Sequence, residues 1–307
     1  MDVVFFGSPE FAVPSLRALV GEGFNVRAVV TQPDRPTGRS RSTSAPTPVK
    51  AAATAEGLEV LQPEKPTEAA FVQRLKDLAP EVGVVVGYGH ILRSELLTLP
   101  RRGMVNVHPS LLPVLRGAAP IEWTILQGIE NTGVTIMQMD EGLDSGPILH
   151  QLPHRVDPGT SAGELTAHLA EMGAQALIEA LALWEQDSLK PVPQNDAHAT
   201  YAPKLTREMA HIDWTKPAES VARRILALDP KPGAWTTSES REVKLFDARA
   251  LPGHGSPGEV MGAGARLVIA AGEGLVEVAE VQPAGKERMP AGDWIHGRGT
   301  AVGRRFR

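Results

Sequence analysis

Apolar residues at the start of the chain fall in short unbroken runs separated by stretches of helical spacing. The segment from Asp2 to Phe6 is apolar after its first residue and stops at Gly7; apolar positions then recur at Phe11, Leu16, Leu19 and Val20. A strand covered on both faces needs no polar side and reads as a continuous run, whereas a helix packed on one side repeats every three to four residues. The opening therefore predicts strand, turn, helix. Further strands are expected at Val26 to Thr31, Leu58 to Leu61, Val82 to Val86, Met104 to Val107 and Val134 to Met139, with helical stretches between them and a long helix from about Gly163 to Trp184. This alternation predicts an α/β, mostly parallel Rossmann-like sheet with helices on both faces and ligands gathered at the carboxyl ends of its strands.

The pattern changes after Asp187. Leu189 to Pro203 carries Pro191, Pro193 and Pro203 among polar residues, which suits an extended linker. Beyond it come a short helix, Ala218 to Leu228, and strand-like segments at Val243 to Ala248, Gly258 to Met261, Arg266 to Ala270 and Leu275 to Val281, divided by Gly and Pro turns. Several short strands of this kind close most naturally into a small OB-like β-barrel. The expected organisation is a domain over 1–188, a linker over 189–206 and a second domain over 207–307.

Composition narrows the function classes. The chain has 307 residues, ample for two cores. It has no cysteine, which excludes disulfides, thiolate metal sites and cysteine nucleophiles, and no metal centre is expected. Its acidic second residue and short first apolar run do not resemble a secretory leader, so a cytoplasmic protein is expected. The formal net charge of -5 argues against indiscriminate nucleic-acid binding, and the charge is uneven. Lys and Arg number 16 against 23 acidic residues over 1–206, and 15 against 13 over 207–307. The mildly basic second half is compatible with RNA binding and equally with ordinary surface charge.

Two stretches can carry chemistry. In Val105-Asn106-Val107-His108-Pro109, residues two apart on a strand share a face, so Asn106 and His108 project together. An amide N-H and an imidazolium can both aim at an oxygen that becomes negative when a carbonyl turns tetrahedral, which points to acyl or formyl transfer. The bland alternative is an asparagine bracing a loop and a half-buried histidine. The second stretch, Gln138 to Pro147, crowds Asp140, Glu141 and Asp144 into a Gly-rich turn, and any of the three could orient His108 on spacing grounds. The first loop, Gly7 to Ala12, lacks two of the three glycines of a dinucleotide fingerprint and places Pro9 where a backbone donor is wanted, which disfavours a nicotinamide cofactor. Arg35, Arg39, Arg41 and Lys50 flank or occupy a Pro/Ser/Thr-rich loop, Gln32 to Pro48, that is long for a compact domain.

Six blocks carry a wider resemblance: GSPEFAVPSL at 7–16, QPDRPTGR at 32–39, NVHPSLLPVLRGAAPI at 106–121, TGVTIMQMDEGLDSGPIL at 132–149, YAPKLTREMAHIDW at 201–214 and QPAGK at 282–286. Through them the chain resembles the methionyl-tRNA formyltransferase family over essentially its full length. The Asn-x-His and SLLP block is shared by folate-dependent formyltransferases generally, and the flanking blocks narrow the choice. The resemblance implies a catalytic trio of Asn106, His108 and Asp144, with a protonated His108 held charged by Asp144. It implies a folate pocket lined by Ser110, Leu111, Leu112 and Pro113, by Tyr88, Gly89, Ile91 and Leu92, and by Asp140. It further implies 10-formyltetrahydrofolate as donor, initiator methionyl-tRNA as acceptor, Arg39 and Arg41 as tRNA contacts, a second domain that grips tRNA, and a monomer. Formylation of a nucleotide-linked amino sugar is the nearest rival. A noncatalytic RNA-binding protein and a dehydrogenase on a similar sheet are more distant ones.

Overall fold

The computed structural model describes residues 1–37, 43–239 and 241–307. The chain divides into two compact units, one of residues 1–117, 132–154 and 166–201, the other of 118–131, 155–165 and 202–307.

The first 185 residues run β1 (Asp2–Gly7), α1 (Val13–Gly21), β2 (Asn25–Val30), β3 (Arg35–Thr37), β4 (Thr43–Ala45), α2 (Pro48–Ala55), β5 (Val60–Leu61), α3 (Ala69–Leu78), β6 (Val82–Val86), α4 (Ser94–Leu97), β7 (Met104–His108), α5 (Pro120–Gln127), β8 (Asn131–Gln138), β9 (Ile148–Arg155) and α6 (Ala162–Glu185). Seven strands form one sheet in the order β5-β2-β1-β6-β7-β8-β9. The pairs from β5 to β7 are parallel and β7 meets β8 antiparallel. The unbroken apolar runs are the central strands: every residue of β6 is buried, as are Val3 to Gly7 of β1. One face packs Phe71, Val72, Leu75 and Leu78 of α3 against Phe6, Val30, Val85 and Met104. On the other face α6 comes so close that a Cβ on Gly173 would press on Val107.

The second unit holds α7 (Ala218–Ala227), β10 (Ala234–Ser238), β11 (Arg241–Leu251), β12 (Val260–Ala263), β13 (Leu267–Ala270), β14 (Leu275–Pro283), β15 (Met289–Pro290) and α8 (Ala291–His296). Its antiparallel sheet has the order β10-β11-β14-β13-β12, with β15 on β14. The two edges are linked by the chain's last residues. Phe306 bridges Ser238 at the end of β10, and Arg305 bridges Glu259 beside β12, so the curved sheet is closed as a barrel is. Gly258 sits at φ +82° with the Phe306 carbonyl where a Cβ would be, so only glycine fits that seam. The barrel core gathers Val243, Leu245, Leu267, Ile269, Val276 and Val278 under Val221, Ala222 and Ile225 of α7.

Some strands escape the sequence pattern. β3 and β4 pair across the loop expected to be irregular. β9 and β10 alternate polar and apolar residues too weakly to announce themselves: Leu149 is the one buried residue of β9.

Candidate active site

β7 supplies two members of the site. Val105 and Val107 face one side of the sheet; Met104, Asn106 and His108 face the other. Asn106 is half-buried, and among the described residues its amide has no hydrogen-bond partner, which leaves its donors open. His108 is buried, 3% exposed. Its Nε2 lies 3.0 Å from the carbonyl oxygen of Leu115. A carbonyl can only accept, so Nε2 carries the hydrogen and Nδ1 is left as the free nitrogen. Nδ1 stands 3.7 Å from Asp144 Oδ2, longer than a direct hydrogen bond. That carboxylate oxygen accepts instead from the Gly117 N-H at 2.8 Å.

Both residues that hold the imidazole have left-handed backbones, Leu115 at φ 61° and Asp144 at φ 49°. Residues other than glycine avoid this region and keep it only where surroundings over-determine it. Here the surroundings are hydrogen bonds: the Leu115 N-H donates to Thr200 Oγ1 at 2.8 Å, and Gln194 Nε2 donates to the Asp144 and Gly146 carbonyls.

Burial is the largest influence on His108 and pushes its pKa below the ordinary histidine value; the Asp144 charge and the Leu115 carbonyl pull it back only in part. The buried site therefore disfavours the imidazolium in the free protein. Where the expectation is a His108 held charged by Asp144, desolvation opposes that charge, and one carboxylate 3.7 Å away offsets it only in part.

The carboxylate arrives from an unexpected direction. Because β8 runs antiparallel to β7, Gln138 pairs with Val105, so the turn that bears Asp144 starts level with the beginning of β7 and folds back over its face. Gly146 allows the return, since a Cβ there would collide with the Gln138 carbonyl. Of the three carboxylates in this turn, Asp144 alone reaches His108. Asp140 is exposed and braces the turn, accepting from the Gly142 N-H at 2.9 Å and from Ser145 Oγ, while Glu141 accepts from Ser94 Oγ.

Ser110 to Pro113 follow β7 directly. Ser110 is buried and donates to the Val114 carbonyl at 2.6 Å. The loop hangs on Thr135 of β8, which faces His108 across the ladder: its hydroxyl donates to the Ser110 carbonyl and accepts from the Leu112 N-H and Gln151 Nε2. Leu112 is buried, while Leu111 and Pro113 are half-buried. The loop after β6 is the neighbour in the sheet. There Tyr88 is buried with its hydroxyl unpartnered, and burial pushes its pKa to about 12. Gly89 turns at φ +84°, Leu92 is buried, and Ile91 is 90% exposed. Arg39 and Arg41 lie outside the described residues. Of the other loop cations, Lys50 pairs with Asp34 at 2.6 Å and Arg35 donates to Gln32.

His150 and His154 are four apart, yet among the described residues no group of three or more acidic or histidine side chains is placed to hold a metal ion. No described helix is long and apolar enough to cross a membrane. Thr135, Gln151, Gln194 and Thr200 were not singled out from the sequence. Each acts by a hydrogen bond to a partner at least 16 residues away, and no local pattern records that.

Residues 1–181 match the formyl transferase family, and residues 204–299 match the formyl transferase C-terminal domain. Over 305 residues the chain is 44% identical to the methionyl-tRNA formyltransferase of Magnetococcus marinus, covering 99% of this chain and 97% of that protein. It is 43% identical to that of Caldanaerobacter subterraneus over 99% of each. This chain belongs to the methionyl-tRNA formyltransferase family. Among solved structures, HypX from Aquifex aeolicus in complex with tetrahydrofolic acid superposes with a TM-score of 0.68 at 19% identity, covering 98% of this chain. The chain spans about half of that protein, 48%. An N-formyltransferase from Helicobacter canadensis with folinic acid and dTDP-3-aminofucose gives 0.68 at 17% identity, covering 92% of this chain and 98% of that one. At such identities the likeness is one of fold.

The family uses 10-formyltetrahydrofolate, whose flat ring system needs an apolar wall with a polar edge. Tyr88, its hydroxyl without a hydrogen-bond partner, sits in an apolar cluster with Leu92, Leu96, Leu97 and Met104, against which Met139 packs. An aromatic ring that ends in a hydroxyl suits such a wall.

Proposed function

We propose that this chain transfers the formyl group of 10-formyltetrahydrofolate to the α-amino group of methionine on initiator methionyl-tRNA, releasing N-formylmethionyl-tRNA for translation initiation. The observation that carries the reading is a half-buried amide without a partner among the described residues and a buried imidazole on one face of β7, with one carboxylate brought to the free imidazole nitrogen. It stands together with full-length identity to enzymes of that name.

The geometry supports the following roles. The uncharged amine attacks the formyl carbon, and the carbonyl oxygen gains negative charge as the amine nitrogen gains positive charge. The Asn106 amide donates to that oxygen. His108 Nδ1, with Asp144 beside it at 3.7 Å, takes the proton the amine must lose. The imidazolium so formed lies next to the oxyanion and Asp144, which stabilise it. Expulsion of the folate N10 breaks the old C-N bond, and N10 receives a proton from the pair, returning His108 to neutrality. Ser110 to Pro113, Tyr88, Gly89, Ile91, Leu92 and Asp140 bound the donor; Arg39 and Arg41 meet the acceptor end of tRNA.

The organisation we propose places catalysis in 1–188, a connection in 189–206 and tRNA binding in the barrel of 207–307, in a cytoplasmic monomer. The test is formyl transfer from 10-formyltetrahydrofolate to charged initiator methionyl-tRNA, run beside uncharged tRNA and a uridine-diphosphate amino sugar. Transfer to the charged tRNA alone is expected. Activity confined to the sugar would retain the chemistry and discard the acceptor.

A further inference from the structure

Gln194 lies in the segment whose prolines suggest a passive connection, yet its amide is shared between the turn that bears Asp144 and the buried Arg116. Its Nε2 donates to the carbonyl oxygens of Asp144 and Gly146, each at 2.8 Å. Its Oε1 accepts from Arg116 Nε at 3.0 Å and Nη2 at 2.8 Å. A guanidinium only donates and a carbonyl only accepts, so these partners dictate which way the amide points.

Arg116 is itself buried, 4% exposed, and its Nη2 also reaches Asp196 Oδ1 at 2.8 Å. On one side of it in sequence stands Leu115, whose carbonyl accepts from His108. On the other stands Gly117, whose N-H donates to the Asp144 carboxylate. Asp144 is thus gripped twice, by its carboxylate through Gly117 and by its own carbonyl through Gln194. Both grips trace back to the segment 115–117. The Asp144 backbone at φ 49° lies in the left-handed region, which aspartate enters more readily than most residues but seldom occupies.

We infer that Gln194 is a positioning residue for formyl transfer: by donating to the Asp144 and Gly146 carbonyls it fixes the Asp144 carboxylate opposite His108 Nδ1. It touches no reacting atom, and the inference rests on the roles proposed above for His108 and Asp144. Gln194→Glu separates its two jobs. The carboxylate still accepts from Arg116 and strengthens that link, so the fold is kept, but it has no hydrogen to give the two carbonyls and repels them. Gln194→Met removes both links without adding charge. Among the described residues, Asp144 is the charged group placed against His108, while Arg116 and Asp196 pair with each other on the far side of Gln194.

For Gln194→Glu, kcat is expected to fall about 10- to 100-fold, with KM for donor and acceptor within about 2-fold of wild type, as for a group that orients a catalytic one. In Gln194→Met the His108 ring, followed by NMR, is expected to titrate at lower pH than in wild type, because the Asp144 carboxylate that favours its charged form drifts away. Folded variants with unchanged kcat and an unchanged His108 titration would overturn the inference. Failure of the wild type to formylate methionyl-tRNA would instead overturn the proposed function, and the NMR titration would still decide the role of Gln194.

Discussion

Asn106 and His108 divide the work by charge type, and variants should separate them. Asn106→Ala removes a donor aimed at the oxyanion without opening the core. It should retain the wild-type unfolding transition and folate affinity while losing about 10²- to 10³-fold in kcat, read by single-turnover formylation. The depressed pKa of His108 makes a second prediction whose sign is fixed. As a base His108 must be neutral, so kcat/KM should fall with acid along a limb lying below the ordinary value of about 6.5. Asp144→Asn removes the charge that raises this pKa, so the limb should move to still lower pH while the plateau rate drops; a limb moving upward would contradict the assignment. Stability follows the same proton. Between its folded value and about 6.5 the unfolded chain binds more protons at this position than the folded one. The contribution of His108 is therefore full above that range and lost as pH falls through its folded pKa.

At the scale of elements, β8 does more than extend the sheet. Thr135 is its hinge to the SLLP loop, and the hydroxyl serves three partners at once. Thr135→Val keeps the strand but leaves the buried Leu112 N-H and Ser110 carbonyl unsatisfied, which should cost about 2 to 4 kcal/mol in denaturant unfolding and raise KM for the folate donor. Thr135→Ser should recover most of both. The strand pattern itself was legible where apolar runs dominate: β1, β2, β6 and β7 all stand within a residue or two of their expected positions, because a strand buried over most of its length is mostly apolar even where single positions, such as Arg27 of β2 and Asn106 of β7, are not. β9 and β10 were not legible, since one exposed face permits a sequence that resembles a loop. The hairpin of β3 and β4 was hidden likewise, being held by backbone pairing across a polar loop.

At the scale of the molecule, a chain with net charge -5 must recruit a polyanion through local basic groups rather than a general field. Arg39 and Arg41 stand in the loop proposed to meet tRNA. Replacing both with Ala should raise KM for methionyl-tRNA, leave KM for the folate donor unchanged, and flatten the salt dependence of tRNA binding by about one logarithmic slope unit for each phosphate no longer neutralised. An unchanged salt slope would remove these residues from the interface. The sequence alone settled the fold class and placed Asn106 and His108 on one face of a strand, because both depend on periodicities of two or three to four residues that local composition must obey. It also held the motifs that mark the family. Spacing could not choose among Asp140, Glu141 and Asp144, a choice only the resemblance made; it could not show that burial opposes charge on His108, and it gave no sign that Gln194 braces the turn that bears Asp144. Those outcomes depend on where an antiparallel strand ends, on how much water a strand excludes, and on a hydrogen bond that spans 50 residues, and tertiary structure alone creates such conditions.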